Sequence, residues 1–274
     1  MNKSACNRRR FLKSITLGAA SLTMPSLLAS CQKNTQLAST SPDMKGKRHI
    51  VTLSFDDGFK KSTLKTIEIY EKYGLSASIN VLATAHLKTF ELPNEYHRWP
   101  VADFELWNEL KQRGHELMPH GYKHIDKASV PLDQAKQLIL SCLEVFSKEL
   151  DGFDPKQSLF VFPHNSSTPE IEKWLATKVR AFRTGGGGMN PLPYKGQVKL
   201  TCSGFGPGNS EDHLNGEIKN LLAADSGWLN YNLHGLDDEG WGPVRAYYLD
   251  KLLDRLLAID SVAVMPHIQA LDTA

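Results

Sequence analysis

The stretch His49-Ile50-Val51-Thr52-Leu53-Ser54-Phe55-Asp56-Asp57-Gly58 is a β-rich apolar run that ends abruptly in two carboxylates and a glycine. Adjacent charges at the end of a buried strand are costly unless something compensates them. A helix N-cap, with Gly58 opening the turn, is one use for such a pair. A bound cation is the other.

Outward from this run, strands and helices alternate. Lys60–Tyr73 carries Leu64, Ile67 and Tyr70 at helical spacing and stops before Gly74, a glycine suited to the residue after a helix end. Ala77–Leu82 reads as a strand, Phe104–Arg113 as a helix closed by Gly114, and His115–Met118 as a short strand. A long amphipathic helix follows over Leu132–Leu150, then strand Ser158–Phe162, and Thr168-Pro169-Glu170 has the form of an N-cap with proline at the first helical position. Strands Arg180–Thr184 and Val198–Cys202, a helix near Asp212–Leu222, strand Trp228–Leu233, helix Val244–Leu257 and strand Val262–Met265 complete the pattern. Such alternation implies an α/β fold with parallel strands wrapped by helices, as an open sheet or a barrel.

A barrel carries a geometric expectation: polar residues just past the C-terminal strand ends converge on one face. Asp56, Asp57, Asn80, His120, His124, Pro163-His164-Asn165, Arg183 and His234 all fall at such positions. His120 and His124 are one helical turn apart and can aim both imidazoles at one ion, although a pair of surface histidines is the alternative. With Asp57 they make a His2Asp set with open positions, as a hydrolytic metal site needs, and Asp56 is left to accept a proton from water.

These residues resemble a family. Leu53-Ser54-Phe55-Asp56-Asp57-Gly58 is similar to the first motif of the NodB-type polysaccharide deacetylases, carbohydrate esterase family 4. His120-Gly121-Tyr122-Lys123-His124, preceded by Gly114-His115-Glu116, resembles the second, and Phe160-Val161-Phe162-Pro163-His164-Asn165 and Leu233-His234 resemble the third and fifth. The resemblance implies a distorted (β/α) barrel of about seven strands. It also implies a divalent metal, commonly zinc, on Asp57, His120 and His124, with Asp56 as general base and His234 as general acid. The metal and a backbone N–H near His164 would stabilise the oxyanion, and the reaction would remove an N- or O-acetyl group from a sugar.

The chain departs from that pattern in two places. Val161 stands where family members often carry an arginine that pairs with the catalytic aspartate, and the aspartate- and tryptophan-containing fourth motif is not recognisable. Arg183, in Phe182-Arg183-Thr184 at the end of a later strand, is the candidate replacement, with a surface arginine as the alternative. Tyr122, Trp228 and Trp241 are candidates for an aromatic wall against a sugar ring, with core packing as the alternative. His115 is expected to pack beneath the site, His267 has no matched partner, and Gly185–Gly188 reads as a flexible turn near the mouth.

The N-terminus reads differently. Residues 1–30 hold five basic residues (Lys3, Arg8, Arg9, Arg10, Lys13), no acidic ones, and an apolar run from Ile15 to Leu28 too short for a stable membrane span. This is a signal peptide. Asn7-Arg8-Arg9-Arg10-Phe11-Leu12-Lys13 resembles a twin-arginine export motif, and Leu28-Ala29-Ser30-Cys31 a bacterial lipobox with Cys31 as the lipidated residue. The expected organisation is signal 1–30, flexible tether 31–47 and catalytic domain 48–274, on a monomer anchored to the bacterial cell envelope at its periplasmic side or outer membrane.

Without the signal's five cations, the 30 acidic residues slightly outnumber the basic ones, which argues against a nucleic-acid partner. The expected partner is an acetylated glycan. A catalytically inactive glycan-binding lipoprotein is the alternative, motivated by Val161 and the missing fourth motif. Cys142 reads as a small buried hydrophobe on its helix, and no bridge to Cys202 is predicted.

Overall fold

The computed structural model describes residues 44–90 and 99–274. The expected signal peptide, with its twin-arginine-like motif and Cys31, and the expected tether as far as residue 43 lie outside the described residues. Among the described residues no helix is long and apolar enough to cross a membrane.

The elements in chain order are β1 (His49–Phe55), α1 (Lys60–Lys72), β2 (Ser78–Val81), α2 (Phe104–Gln112), β3 (Glu116–Pro119), α3 (Leu132–Glu149), β4 (Leu159–Val161) and α4 (Pro169–Leu175). There follow β5 (Ala181–Gly185), β6 (Met189–Asn190), β7 (Lys199–Cys202), α5 (Ser210–Ala223), β8 (Gly227–Leu233), α6 (Ala246–Leu257), β9 (Val262–Val264) and α7 (His267–Leu271). Local chemistry sets several boundaries. Thr168 caps α4 by accepting from the Ile171 N–H, with Pro169 at the first helical position, and Asp103 caps α2 through Leu106.

β1 is the axis of the architecture. It pairs in parallel with β8 along its whole length, with β2 at its C-terminal end and with β9 at its N-terminal end. β2 pairs with β3, and β5 joins β4 to β7, all in parallel. Backbone bonds from Ser203 N–H to Asn230 O (3.1 Å) and from Asn232 N–H to Ser203 O (2.9 Å) tie the end of β7 to β8. Between β3 and β4 no ladder forms among the described residues; Met118 sulfur instead accepts from Ser158 Oγ and Leu159 N–H, both at 3.3 Å. The result is a distorted barrel of parallel strands in the order β1-β2-β3-β4-β5-β7-β8, with one loose seam.

The alternation of side chains along a strand then separates two cores. Val51, Leu53 and Phe55 face outward and pack under the helices with Ile67, Tyr70 and Leu252. On the inner face of β1 the sequence runs Ile50, Thr52, Ser54, Asp56, and on β8 it runs Trp228, Asn230, Asn232, His234. The barrel therefore has an apolar floor, where Ile50, Val161, Leu200 and Trp228 pack together, and a polar mouth.

Two short elements escape the sequence reading. β6 has two residues, too few for a period, and runs antiparallel to β8. It follows Gly185–Gly188 directly, and Gly188 O accepts the Asn230 N–H at 2.8 Å, so that glycine run is fastened to β8 at this point. α7 lies beneath the floor, where buried Glu116 accepts the N–H groups of His267 (3.2 Å) and Ile268 (2.7 Å). This gives His267 a structural place, and Ser78 Oγ lies 3.2 Å from its Nδ1.

Candidate active site

A cavity of ≈ 550 Å³ opens at the C-terminal ends of the strands. Asp56, Asp57, His120, His124, His164 and His234 all line it, with Asn165, Gly204, Asn232 and Trp241 completing the wall. Asp56 continues the inner face of β1, while Asp57 turns out of strand geometry at φ 74°. Aspartate tolerates this left-handed conformation better than most residues, and the change of direction separates the two carboxylates.

Asp56 is held by three donors. Its Oδ1 accepts from Asn80 Nδ2 (2.6 Å) and Arg183 Nη1 (3.1 Å), and its Oδ2 from Arg183 Nη2 (2.6 Å). Arg183 is fully buried and also donates to Ser54 Oγ (2.7 Å) and Asn165 Oδ1 (3.1 Å). Burial alone would raise the Asp56 carboxyl, but the Arg183 guanidinium, with a smaller contribution from His120, holds it well below the ordinary carboxylate range. The guanidinium that Val161 cannot provide thus reaches Asp56 from β5, the strand next to β4.

Asp57 has the opposite environment. Burial pushes its carboxyl up to about 6 despite a downward pull from His234, and its Oδ1 is buried without a hydrogen-bond partner. His120 Nε2 and His124 Nε2 lie 3.6 and 3.5 Å from that oxygen. Donor atoms at ~2.0–2.2 Å from one ion in tetrahedral array stand ~3.3–3.6 Å apart, so the three groups fit a divalent metal.

The histidines support the same conclusion. His120 Nδ1 lies 3.2 Å from Val161 O, which fixes the tautomer with Nε2 free toward the centre. Burial lowers both imidazoles, His120 well below its ordinary value and His124 to about 4, so both are neutral, as metal ligands must be.

The opposite wall is built from strained backbone. His164 and Asn165 adopt φ 58° and 51°, a conformation that costs of order 1–3 kcal/mol per residue and needs support from its surroundings. That support is visible: Asn165 O accepts from Thr184 Oγ1 (3.2 Å), and Asn165 Nδ2 donates to Asn232 Oδ1 (3.2 Å). The strain swings the His164 ring to 4.4 Å from the His124 ring, at the edge of the cavity. His234 enters from the end of β8 and meets Trp241 edge to face at 5.1 Å. Burial lowers the His234 imidazole, opposed by Asp57 and Asp56.

The model of the polysaccharide deacetylase family matches residues 43–200, more than half of the sequence. The chain belongs to this family. It is a hydrolase acting on acetyl groups. Solved structures share the deacetylase fold. A protein from Mycobacterium smegmatis assigned as a polysaccharide deacetylase superposes with TM-score 0.62 at 16% identity, over 85% of this chain and 92% of that one. A family 4 acetyl xylan esterase from Clostridium thermocellum, solved with a cobalt ion, gives 0.53 at 19% identity over 79% and 87%. The peptidoglycan deacetylase PdaC of Bacillus subtilis gives 0.52 at 12% over 83% and 92%. No curated protein matches by sequence.

The aromatic candidates divide three ways. Trp241 lines this deacetylase's cavity. Trp228 does not: it is fully buried on the barrel floor, donating to Thr52 Oγ1 at 2.9 Å, and six residues of strand at ~3.3 Å each set it about 20 Å from His234. Tyr122 packs half-buried against the outer core and lies outside the cavity lining. His115 packs beneath, bonded to the Ala77 N–H and close to Glu71. Asn165 lines the cavity as its strand-end position predicts, whereas Asn232 is not marked by any motif. Asn232 stands two residues before His234 on one strand face, and that spacing was the available signal.

Proposed function

We propose that the protein is a metal-dependent deacetylase that removes N- or O-acetyl groups from an envelope or extracellular glycan. The observation that carries this reading is the division of labour between neighbouring aspartates. Asp56 is kept ionised by Arg183, while Asp57 is buried, lacks a donor and faces two neutral imidazoles. A divalent ion, zinc by the chemistry of two imidazoles and one carboxylate, would be held by Asp57, His120 and His124, polarising the acetyl carbonyl and acidifying water.

The chain's own groups supply the proton transfers. Asp56 Oδ2 accepts from Arg183 Nη2 alone, whereas Oδ1 accepts from both Asn80 and Arg183, so Oδ2 is the oxygen with capacity to accept a proton from the attacking water. The water oxygen adds to the acetyl carbon, and the bond to the sugar nitrogen or oxygen breaks. His234, on the far side of the cavity, gives that leaving atom a proton. The backbone N–H of His164 would stabilise the oxyanion, and Trp241 would offer a face to the sugar ring.

The inactive-binder reading rests on the arginine missing at Val161 and on the missing fourth motif. Arg183, in salt bridge with Asp56, answers the first of these and leaves the second. Export by the twin-arginine route and lipidation at Cys31 would place the enzyme on the envelope membrane, where polymeric acetylated glycans are the available substrates.

The test is to measure bound metal and acetate release from N-acetylglucosamine oligomers, peptidoglycan and acetylated xylan, with Asp56→Asn as control. Acetate from one of these, lost with Asp56→Asn while metal is retained, is the expected result. Metal binding with no acetate above the control would favour a glycan-binding protein.

A further inference from the structure

Lys127 is fully buried three residues past His124, in a segment without regular secondary structure. Burying an ammonium costs several kcal/mol unless it is matched, and no carboxylate lies within salt-bridge distance of it among the described residues. Its neighbour Asp126 is committed elsewhere, accepting the Ala128 N–H at 2.8 Å. Lys127 Nζ donates instead to Ile125 O at 2.6 Å. It also lies 3.5 Å from where a Cβ on Gly121 would stand. Gly121 adopts φ 98°, and the same Cβ would come within 3.1 Å of Pro163 and 3.4 Å of Lys123 O. The ammonium therefore lies against Gly121 and Ile125 O of its own segment, and the glycine keeps that segment close against Pro163.

The two histidines in this segment are supported unequally. His120 is oriented by Val161 O through its ring, and its N–H donates to Val81 O at 2.8 Å. His124 Nδ1 is buried and has no hydrogen-bond partner. Nothing bonded to its own ring fixes its orientation, so its position depends on the backbone that carries it. The outer side of that backbone is fixed by Ala83 N–H to Gly121 O (2.9 Å) and Thr84 Oγ1 to Tyr122 O (2.5 Å). The inner side is fixed at the residue after His124, by Lys127 on Ile125 O.

We infer that Lys127 is a positioning residue for the metal centre, clamping the loop from inside so that His124 Nε2 is held toward Asp57. The inference rests on the Asp57-His120-His124 site of the proposed function. Partners that orient a metal ligand are typically worth 10–100-fold in metal affinity.

The test compares the wild-type protein with Lys127→Met, which keeps an unbranched chain and removes the ammonium, and with Lys127→Arg, which keeps the charge. Zinc affinity is measured by competition with a chromophoric chelator, and thermal stability is followed on the chelator-stripped proteins. The expected result is that Lys127→Met binds zinc 10–100-fold more weakly with a stripped-protein melting temperature equal to or above wild type, because a buried charge has been removed. Lys127→Arg should recover part of the affinity. Zinc affinity of Lys127→Met within twofold of wild type overturns the inference, as does a loss matched by an equal collapse of stripped-protein stability in both variants. If wild type itself binds no zinc, the proposed metal site fails instead.

Discussion

Replacing Arg183 by Met tests the arrangement at Asp56 without reference to any substrate. The pair is buried on both sides, Arg183 at 0% and Asp56 at 3% side-chain exposure, with bonds of 2.6 and 3.1 Å. Removing one partner of a buried ion pair typically costs ~3–5 kcal/mol, because the other charge is left without compensation. In a domain of this size 1 kcal/mol shifts the melting temperature by about 2–4 °C, so Arg183→Met should melt about 10 °C lower at pH 7.

The pH dependence identifies the cause. In the wild type the folded-state pKa of Asp56 lies below its ordinary 3.8, so the pair stabilises the fold above that value and the contribution is lost only as pH falls through the lower folded value. In Arg183→Met, burial acts unopposed by the guanidinium and the folded value rises above the unfolded one. The penalty is then full at neutral pH and is relieved as Asp56 takes a proton on acidification. Urea unfolding of chelator-stripped wild type and variant should therefore show a gap that narrows from pH 7 to pH 4. Asp57, His120 and His234 also feel the Arg183 charge, and the same comparison made in the Asp56→Asn background separates their share of the gap. Adding Asp56→Asn to Arg183→Met should recover much of the loss. A gap independent of pH, with no recovery in the double variant, would refute the ion-pair reasoning.

Three further outcomes are expected. Trp241→Ala should raise KM for the glycan about tenfold, from ~1–1.5 kcal/mol of aromatic contact, whereas Trp228→Ala should cost ~3–5 kcal/mol of stability by leaving a cavity in the floor, with KM unchanged; steady-state kinetics and denaturation separate the two. Gly204→Ala puts a methyl group onto Asn232 Oδ1 and should lower kcat/KM about tenfold or more, through displacement of Asn232 and with it Asn165, with a melting temperature lower by about 2–10 °C from the overpacking. His234→Gln should lower kcat ~10²–10⁴-fold and abolish the alkaline limb of the rate profile, since an acid that must carry a proton stops working as pH rises through its pKa.

The fold was largely legible because β1 and β8 state the architecture in their own alternation. Each shows an outward row of large apolar residues and an inward row that grows polar toward the C-terminal end. The convergence of Asp56, Asp57, His120, His124 and His234 followed from strand ends alone. Trp228 was misplaced because composition marks it as an aromatic near His234, while only the strand direction shows that it sits at the floor. Lys127 carried no signal, since a lysine in a polar loop is ordinarily solvated, and its burial depends on the path of the loop around Gly121. Arg183 was within reach because it ends a strand beside the one whose expected arginine is missing.

The seam between β3 and β4 bears on how the enzyme breathes. Side chains join these strands where a ladder would otherwise stand, through Met118 at the lower end and His120 on Val161 O at the upper. The same imidazole therefore faces the proposed metal position with one nitrogen and fastens the seam with the other. Withdrawing the ion should free His120 to turn, so that the barrel unzips first along this line. Amide protons of Leu159–Val161 and Glu116–Met118 should then exchange faster in chelated protein than those of β1 and β8, making strand breathing a reporter of metal occupancy.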